Sequence, residues 1–452
     1  MIVYKEEKIG QQSIFIKTVL NEQHQVVSER IVSIPLYQVV QDYYTYFILY
    51  DDKMKPYTTV YDYLNFKLRE SPLTSRSQSA VALRLLYCFL SLSGYKIYNF
   101  NGLIFKELLF FLRGINSNPD DYAMQTQRTN NTVNGYLSVY RSYFGFIGVK
   151  CDSLFRAKES LMSYSFDGDF GSVSRKKYVN NLPTMDKSET SVPRYIGKDD
   201  FVRLWEILVA ARDEQAQIIV LLMYGYGLRL GEVLGLTIED IREIRDNGKL
   251  IPVLLLRNRL SDAKYQFAKG LPHVIDPREY SSSDYQKSSQ KIIITYQLYE
   301  ELIDFIERKH NYAIEHYSSN YDKGIADIVS LRNKPDENHY VFLNRYGRVL
   351  SDQTWNNHLR KYFIQAGIPI DSDIRENNLS HRFRHGFAMF HARFRKNPLD
   401  ALALQKLMRH KSISSTMVYY NPTEEDEYKT KTEFQQELYE LIPQLKEGFY
   451  GI

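Results

Sequence analysis

The chain has 452 residues, 44% of them hydrophobic and 25% charged, and its formal net charge is +4. This length predicts about two to four domains, and the apolar fraction excludes a wholly disordered chain. Two cysteines, Cys88 and Cys151, are too few for a disulfide framework or a cysteine-rich zinc ribbon. The longest apolar run falls far short of the roughly 20 residues that span a bilayer, and no secretory signal is visible. We therefore expect a soluble, cytoplasmic protein with no membrane partner.

Charge is distributed unevenly along the chain. The tail, residues 423–452, holds eight acidic residues and three lysines, a balance of −5, so residues 1–422 carry +9. A moderately basic body is compatible with nucleic acid as a partner, although charge alone leaves this open. Apolar residues at helical spacing between Phe434 and Leu445 predict a short amphipathic helix in the acidic tail. Such a helix is suited to a groove on its own chain or on a neighbour.

The N-terminal part of the chain divides into three predicted segments. Residues 12–34 form two β-branched runs around a polar stretch, which predicts a hairpin in an N-terminal extension over residues 1–55. Residues 56–165 place apolar side chains at i, i+3, i+4 and i+7, which predicts a small helical bundle. Residues 166–194 lose this period and are rich in glycine, serine and proline, as expected of a linker. The linker is basic at Arg175, Lys176 and Lys177.

The next segment, residues 195–422, is predicted to be a second domain. Helical patterning returns over residues 199–227 and again over 352–367. Residues 251–260 and 291–299 are predicted to be strands on either side of a long polar hairpin. The fold class expected from these patterns is mainly α with a small β-sheet or hairpin, an α+β fold.

Three short basic segments of the second domain carry candidate site residues. The first, residues 224–236, contains Arg229 followed by Glu232 at i+3. This is either an ordinary surface ion pair on a packed helix or a guanidinium held by a carboxylate and aimed at a phosphate.

The second basic segment, residues 379–391, contains His381, Arg382, Arg384 and His385. His381 and Arg384 share a helix face and both reach one anion there. His381 and His385 have zinc-ligand spacing, but no HExxH motif or nearby cysteine or acidic cluster completes a metal site. We therefore expect no metal.

The third basic segment, residues 404–423, contains His410 and, nine residues later, Tyr419 followed by Tyr420. Together the three segments supply two arginines, two histidines and a tyrosine, a set suited to attack on a phosphodiester. Guanidinium groups stabilise the charge that develops on the phosphate oxygens, and histidines donate hydrogen bonds or move protons. Cationic neighbours favour the phenolate of a tyrosine nucleophile. The expected product is a covalent phosphotyrosine.

The order GLRLGE, HRFRH and RHKSISSTMVYY, over residues 195–422, resembles the signature of the tyrosine recombinase (phage integrase) family. The resemblance implies a helical core-binding domain over residues 56–165 and a catalytic domain over 195–422, closing as a basic clamp on duplex DNA. It implies that Arg229 and Arg384 bind the scissile phosphate and that Tyr419 is the nucleophile, with Tyr420 as the fallback. The remaining roles are proton transfer for His381, transition-state hydrogen bonding for His410 and support for Glu232.

The family also uses a lysine on a β-hairpin as general acid, and the resemblance assigns this role to Lys269 in preference to Lys264. Arg409 departs from the family pattern, which often has glycine before the late histidine, and either adds a phosphate contact or perturbs the loop. The candidates for DNA binding are Arg175, Lys176, Lys177, Lys264, Arg382 and Arg409.

The implied function is site-specific recombination or integration by a bacterial mobile element, through a 3′-phosphotyrosine and with no cofactor. The implied partners are double-stranded DNA at the element ends and target site and a homotetramer on DNA, with a monomer or dimer when free. Accessory DNA-bending or directionality factors and a nucleoid-associated location also follow from the resemblance. The alternatives are a DNA relaxer similar to type IB topoisomerases and a catalytically inactive, sequence-specific DNA-binding regulator.

Overall fold

The computed structural model describes residues 2–9, 12–41, 44–114, 128–166, 169–183, 192–256, 290–329, 340–370, 379–421 and 423–441. The chain forms two compact units, Met1–Met185 and Asp186–Ile452. Within the described ranges, no helix is both long enough and apolar enough to cross a membrane.

The first unit begins with two antiparallel β-layers. Strands β1 (Ile2–Ile9), β2 (Gln12–Leu20) and β3 (Val26–Val32) form one sheet in that order, and β4 (Leu36–Gln41) pairs with β5 (Tyr44–Leu49). The turn between β2 and β3 runs through Asn21 and Gln25, where the sequence predicts a hairpin.

Five α-helices follow the strands. They are α1 (Thr58–Asp62), which continues into a π-helical turn, α2 (Leu73–Ser93), α3 (Gly102–Arg113), α4 (Asn130–Ile147) and α5 (Asp152–Phe155). Their apolar faces share one buried cluster with the N-terminal strands.

The N-terminal strands are part of this core, which differs from the predicted separate extension over residues 1–55. The buried Asn65 side chain exchanges hydrogen bonds of 2.9 Å with both the N–H and the C=O of Phe47. Arg76, also buried, donates to the carbonyl of Thr45 at 2.6 Å. Because buried polar groups need such partners, these contacts fix the strands on the helices.

A second difference concerns the predicted linker. Strands β6 (Ala157–Phe166) and β7 (Asp169–Tyr178) form a long antiparallel hairpin, so the predicted linker 166–194 is a strand in its first part. These strands are rich in serine, lysine and glycine. Five serines and one glycine lie among their twenty residues, and this turn-like composition favoured a linker over a strand.

The second unit begins with helices and a small sheet. Helices α6 (Lys198–Ala210), α7 (Glu214–Gly225) and α8 (Leu230–Leu234) precede strands β8 (Ile241–Asp246), β9 (Lys249–Leu256) and β10 (Gln290–Ile293), which are antiparallel with β9 in the centre. The predicted strand 291–299 stops at Ile293, because Thr295 accepts a hydrogen bond from the N–H of Leu298 and starts the next helix.

Six further helices lie in the described part of the second unit. They are α9 (Tyr296–Val329), with a break at Tyr317, α10 (Asp352–Gln365), α11 (His381–Met389), α12 (Ala401–Met408), α13 (Ser414–Met417) and α14 (Glu424–Leu441). Trp355 lies in the centre of their core and donates to Ser380, the residue before α11, at 2.9 Å. The protein is thus mainly α with small antiparallel sheets, and the predicted fold class is confirmed.

Candidate active site

The turn after α7 supports the site through Gly227. This residue has φ +63°, a conformation that side chains other than glycine rarely adopt. A Cβ atom here would lie 2.6 Å from the ring of Phe387 on α11. The Gly227 carbonyl accepts a hydrogen bond from Arg384. The glycine therefore allows α11 to approach this turn closely.

A buried carboxylate joins two of the arginines. Glu232 accepts a hydrogen bond of 2.7 Å from Nη1 of Arg229 through Oε1, and one of 2.7 Å from Nη2 of Arg409 through Oε2. The side chains of Arg229 and Glu232 are 18% and 1% exposed. Burial by itself raises the pKa of Glu232, but Arg409 and Arg229 together hold it below the usual value. The i, i+3 pair at residues 229 and 232 is therefore a buried, charged pair in this site.

Arg409 lies at the end of α12 with φ +54°. This left-handed position explains why glycine suits it. Its side chain is largely buried on Glu232, and its Nε atom is buried without a hydrogen-bond partner. Glu232 thus engages one terminal nitrogen of Arg409, and the expected phosphate contact stays a prediction.

Arg384 is placed by α11 in the centre of the site. It is buried, and its two terminal nitrogens donate to the carbonyls of Gly227 and Met408. Burial and the neighbouring Arg229 lower its pKa to about 9, although Glu232 acts in the opposite direction. Two backbone carbonyls thus fix the plane of the Arg384 guanidinium. Its buried positive charge favours the binding of an anion.

Tyr419 follows α13 and is 2% exposed. Burial raises the pKa of its hydroxyl to about 12, while Arg384 and Arg229 act to lower it. Its hydroxyl lies 2.8 Å from Nδ1 of His385, one turn after His381 on α11. The electrostatic influence of both arginines on Tyr419 places the three groups in one site.

The two histidines predicted from the motifs, His410 and His381, lie beside Tyr419 and His385, respectively. The ring of His410 lies parallel to that of Tyr419, with centroids 6.3 Å apart, and its Nδ1 is 2.9 Å from the Thr416 hydroxyl. His381 is exposed at the start of α11, and its ring centroid is 6.2 Å from that of His385. The structure therefore places His410 beside the tyrosine and His381 beside His385.

Tyr420 points elsewhere. Its hydroxyl donates to the backbone carbonyl of Leu399 at 2.6 Å, and burial raises its pKa. Arg393 instead holds the main chain at the tyrosine pair, because its Nε donates to the carbonyl of Tyr419 at 2.9 Å and it also donates to Asn421 and Asp426. The geometry favours Tyr419 over Tyr420 as the reactive tyrosine.

The remaining sequence candidates make none of the contacts described above. Arg382 is buried and donates to the Pro369 carbonyl at 2.6 Å, which does not suit the DNA contact expected of it. Lys176 and Lys177 are exposed on β7 in the first unit, and Arg175 lies on the same strand. Lys264 and Lys269 lie outside the described residues.

Among the described residues, no group of three or more histidine, cysteine, aspartate or glutamate side chains is placed to hold a metal ion. The site is instead a cationic cluster around one tyrosine. Such a cluster can bind an anion, stabilise charge on it and present a hydroxyl for attack.

Sequence reasoning missed two contributors. His385 was noted only for zinc-ligand spacing, although its position one residue after Arg384 places it beside the tyrosine. Arg393 gave no signal, because its partners lie between 26 and 33 positions further along the chain.

Part of the chain is similar to known proteins. Residues 277–426 match the phage integrase family. Transposase A from transposon Tn554 of Staphylococcus aureus is 26% identical over 165 residues. That alignment covers 35% of this chain and 44% of the transposase, so the chain spans less than half the length of this curated relative.

Two solved structures are also similar. XerH site-specific recombinase, bound to palindromic difH substrate in a post-cleavage complex, has a TM-score of 0.48 and 15% identity, covering 82% of each chain. The Tn1549 transposon integrase in complex with transposon right end DNA has a TM-score of 0.45 and 15% identity, covering 83% of this chain and 98% of that chain. The resemblance predicted from the motifs is confirmed, and residues 277–426, which carry Arg384, His410 and Tyr419, form a phage integrase (tyrosine recombinase) family domain.

Proposed function

We propose that the protein is a site-specific DNA recombinase of a mobile element that cuts and rejoins DNA strands through a 3′-phosphotyrosine at Tyr419. The observation that carries this proposal is the convergence of Arg229, Arg384 and His410 on Tyr419, although they come from distant parts of the sequence. The match to the phage integrase family and the similarity to a transposase support the same reaction.

In the proposed step, the Tyr419 hydroxyl oxygen attacks the scissile phosphorus as the bond to the 5′ oxygen breaks. The hydroxyl proton passes to His381, to which the family resemblance assigns proton transfer. Arg384 and Arg229 stabilise the negative charge that grows on the non-bridging oxygens. The 5′ oxygen leaves as a hydroxyl after taking a proton, for which the family resemblance assigns Lys269. A 5′-hydroxyl from another strand then attacks the phosphotyrosine and releases the enzyme.

The proton balance at Tyr419 depends on the bound phosphate. Burial holds its pKa at about 12, so the free protein keeps the hydroxyl protonated at neutral pH. Arg384 and Arg229 already act to lower this pKa, which makes the phenolate accessible as the reaction proceeds.

The proposed partners are double-stranded DNA at the element ends and target and three further copies of this chain, assembled as a tetramer on DNA. Exchange of strands between two duplexes requires four cleavages, one per active site. The acidic helix α14 supports contact between copies, because Phe434 is 60% exposed and Tyr428 is 74% exposed on it. Accessory DNA-bending or directionality factors are also part of the proposal.

The test is covalent capture on a nicked duplex that carries the element's end, with EDTA present and adducts separated on a denaturing gel. Wild type and Tyr420→Phe should form a shifted protein–DNA band, and Tyr419→Phe should form none. An adduct that persists in Tyr419→Phe would move the nucleophile to Tyr420. Specific DNA binding without any adduct would favour the regulator.

The DNA products then distinguish recombination from relaxation. Two duplexes with different end labels should give recombinant strands with the wild-type protein. Relaxation of supercoiled plasmid without recombinant strands would instead assign the chain to DNA relaxers similar to type IB topoisomerases.

A further inference from the structure

The hydrogen bond between His385 and Tyr419 lies outside the residue set that the motifs supply. His385 comes from α11 and Tyr419 from the segment after α13, 34 residues later. Nδ1 and the hydroxyl oxygen are 2.8 Å apart, and the two rings have centroids 5.8 Å apart with an interplanar angle of 46°. This is a direct contact with the atom that would attack phosphorus.

We infer that His385 orients the nucleophile, with its Nδ1 accepting the hydrogen bond of the Tyr419 hydroxyl. The inference rests on the proposed function, because only there does Tyr419 act as a nucleophile. It adds a residue that touches the reacting atom to the arginines and histidines already placed.

The donor and acceptor roles in this hydrogen bond depend on which ring nitrogen of His385 carries the hydrogen. A tyrosine hydroxyl has one hydrogen, and a neutral imidazole has one acceptor nitrogen and one N–H. Burial, together with His381 and Arg384, lowers the pKa of His385 to about 3, so its ring is neutral at physiological pH. In the inferred arrangement, the Tyr419 hydroxyl, which is also neutral, donates its hydrogen to Nδ1. His385 therefore carries its own hydrogen on Nε2.

The same two pKa values limit what His385 does. A proton leaving a group with a pKa of about 12 for one with a pKa of about 3 moves strongly uphill. In the free protein, His385 thus positions the hydroxyl and leaves it protonated. His385 contributes to the cleavage rate by orienting the hydroxyl, because a reacting atom already held in place loses less entropy on reaching the transition state.

The neighbouring histidines do not fill this role. The Nδ1 atom of His410 faces the hydroxyl of Thr416 at 2.9 Å, and its ring lies beside that of Tyr419. His381 is one helical turn from His385 and is exposed. Of these three histidines, His385 is the one whose hydrogen bond reaches the Tyr419 hydroxyl.

The test compares His385→Asn, His385→Gln and His385→Leu. The amide oxygen of asparagine lies near the position of Nδ1, whereas that of glutamine lies near the position of Nε2, and leucine has no acceptor. In single-turnover cleavage of the nicked duplex, we expect His385→Leu and His385→Gln to be slower by on the order of 100-fold, with unchanged DNA affinity. His385→Asn should stay within about 5-fold of wild type, because it keeps the acceptor.

A second readout needs no catalysis. In protein labelled with ¹³Cζ-tyrosine, the Tyr419 resonance is identified by its loss in Tyr419→Phe. We expect His385→Leu to change both the chemical shift and the alkaline titration of Tyr419. His385→Asn should change both quantities less than His385→Leu does. If His385→Leu fails to fold, as judged by thermal unfolding, the asparagine–glutamine pair carries both measurements.

Two outcomes would overturn the inference. One is wild-type cleavage by His385→Leu or His385→Gln, and the other is a Tyr419 resonance that does not respond to any of the three substitutions. A wild-type protein that forms no adduct overturns the proposed function instead, while the resonance still shows whether the contact exists. The two failures are thereby distinguished.

Discussion

Arg409 donates to the Oε2 atom of Glu232 at 2.7 Å, although 177 positions separate the two residues. The other oxygen of the same carboxylate binds Arg229, so one buried acid holds two cations. Glu232 thus links α8 to the end of α12. It connects Arg229, which lies outside the matched residues 277–426, to Arg409, which lies within them.

Replacing Glu232 should destabilise the protein and slow cleavage. Glu232→Ala leaves two buried guanidinium groups without their partner, and removal of one member of a buried ion pair costs about 3–5 kcal/mol. Glu232→Gln should lose less, because its amide oxygen still accepts one hydrogen bond. Urea unfolding and single-turnover cleavage measure these effects. Glu206→Gln, on the exposed face of α6, serves as the control. Unchanged stability of Glu232→Ala would contradict the buried pair.

The left-handed conformation at residue 409 gives a prediction about glycine. Arg409→Gly and Arg409→Ala both lose the contact with Glu232, but only alanine keeps the strain of φ +54°. Arg409→Gly should therefore be more stable than Arg409→Ala by about 1 kcal/mol in urea unfolding. The salt dependence of DNA binding should be the same in both variants and in wild type. A reduced slope would show that Arg409 contacts a phosphate after all.

The β6–β7 hairpin predicts unequal effects for two adjacent lysines. Lys177 pairs across the strands with Lys158, whereas Lys176 pairs with Glu159, and all four are exposed. Directly opposed residues share a face, so one face is basic and the other is neutralised. Lys177→Gln should weaken DNA binding more than Lys176→Gln and lower the salt slope by about 1. Equal effects would show that DNA does not distinguish the two faces.

Acidification should weaken the fold through His385. Its pKa is about 3 in the protein, against about 6.5 for a free imidazole, so the unfolded chain binds more protons between these values. Stability is therefore retained above about pH 6.5 and lost as the pH falls towards 3. Between pH 7 and 5, wild type should lose roughly 2 kcal/mol more than His385→Asn. Urea unfolding at both pH values measures this, and parallel losses would contradict it.

Truncation of the tail should affect assembly more than cleavage, provided that Asp426 is kept. Arg393 binds Asp426 and also donates to the carbonyl of Tyr419, so a deletion from residue 424 would disturb the nucleophile itself. Removal of residues 428–452 keeps this contact and removes the exposed Phe434. We expect nearly normal adduct formation and a strong loss of synaptic complexes in gel-shift experiments. Equal loss of both would contradict a role in assembly.

The sequence predicted which side chains come together better than it predicted the groups that hold them. The side chains of Arg229, Arg384, His410 and Tyr419 converge as expected, because their motif order and spacing reflect a shared fold. The carbonyls that hold Arg384 could not be anticipated, since every residue has a backbone carbonyl and only the fold selects Gly227 and Met408.

Strand β8 was missed although the sequence contains its signal. Asn247 and Gly248 both have positive φ, at 48° and 80°, and join β8 to β9 in a two-residue loop. Asn-Gly is the preferred pair for such a hairpin turn. The N-terminal strands were underestimated for another reason. Their contact with α2 depends on Arg76, and a charged residue in a helix gives no indication that it is buried.

The close approach of α11 depends on two positions that have no room for a methyl group. A Cβ atom at Gly386 would lie 2.4 Å from the carbonyl oxygen of Ile196, and one at Gly227 would lie 2.6 Å from the ring of Phe387. Neither obstacle is the end of a flexible chain that can swing aside. An added carbon at either place must lift the helix that bears Arg384 and His385. A single alanine, remote from any phosphate, would thus retract an arginine and an imidazole from the tyrosine at the same time.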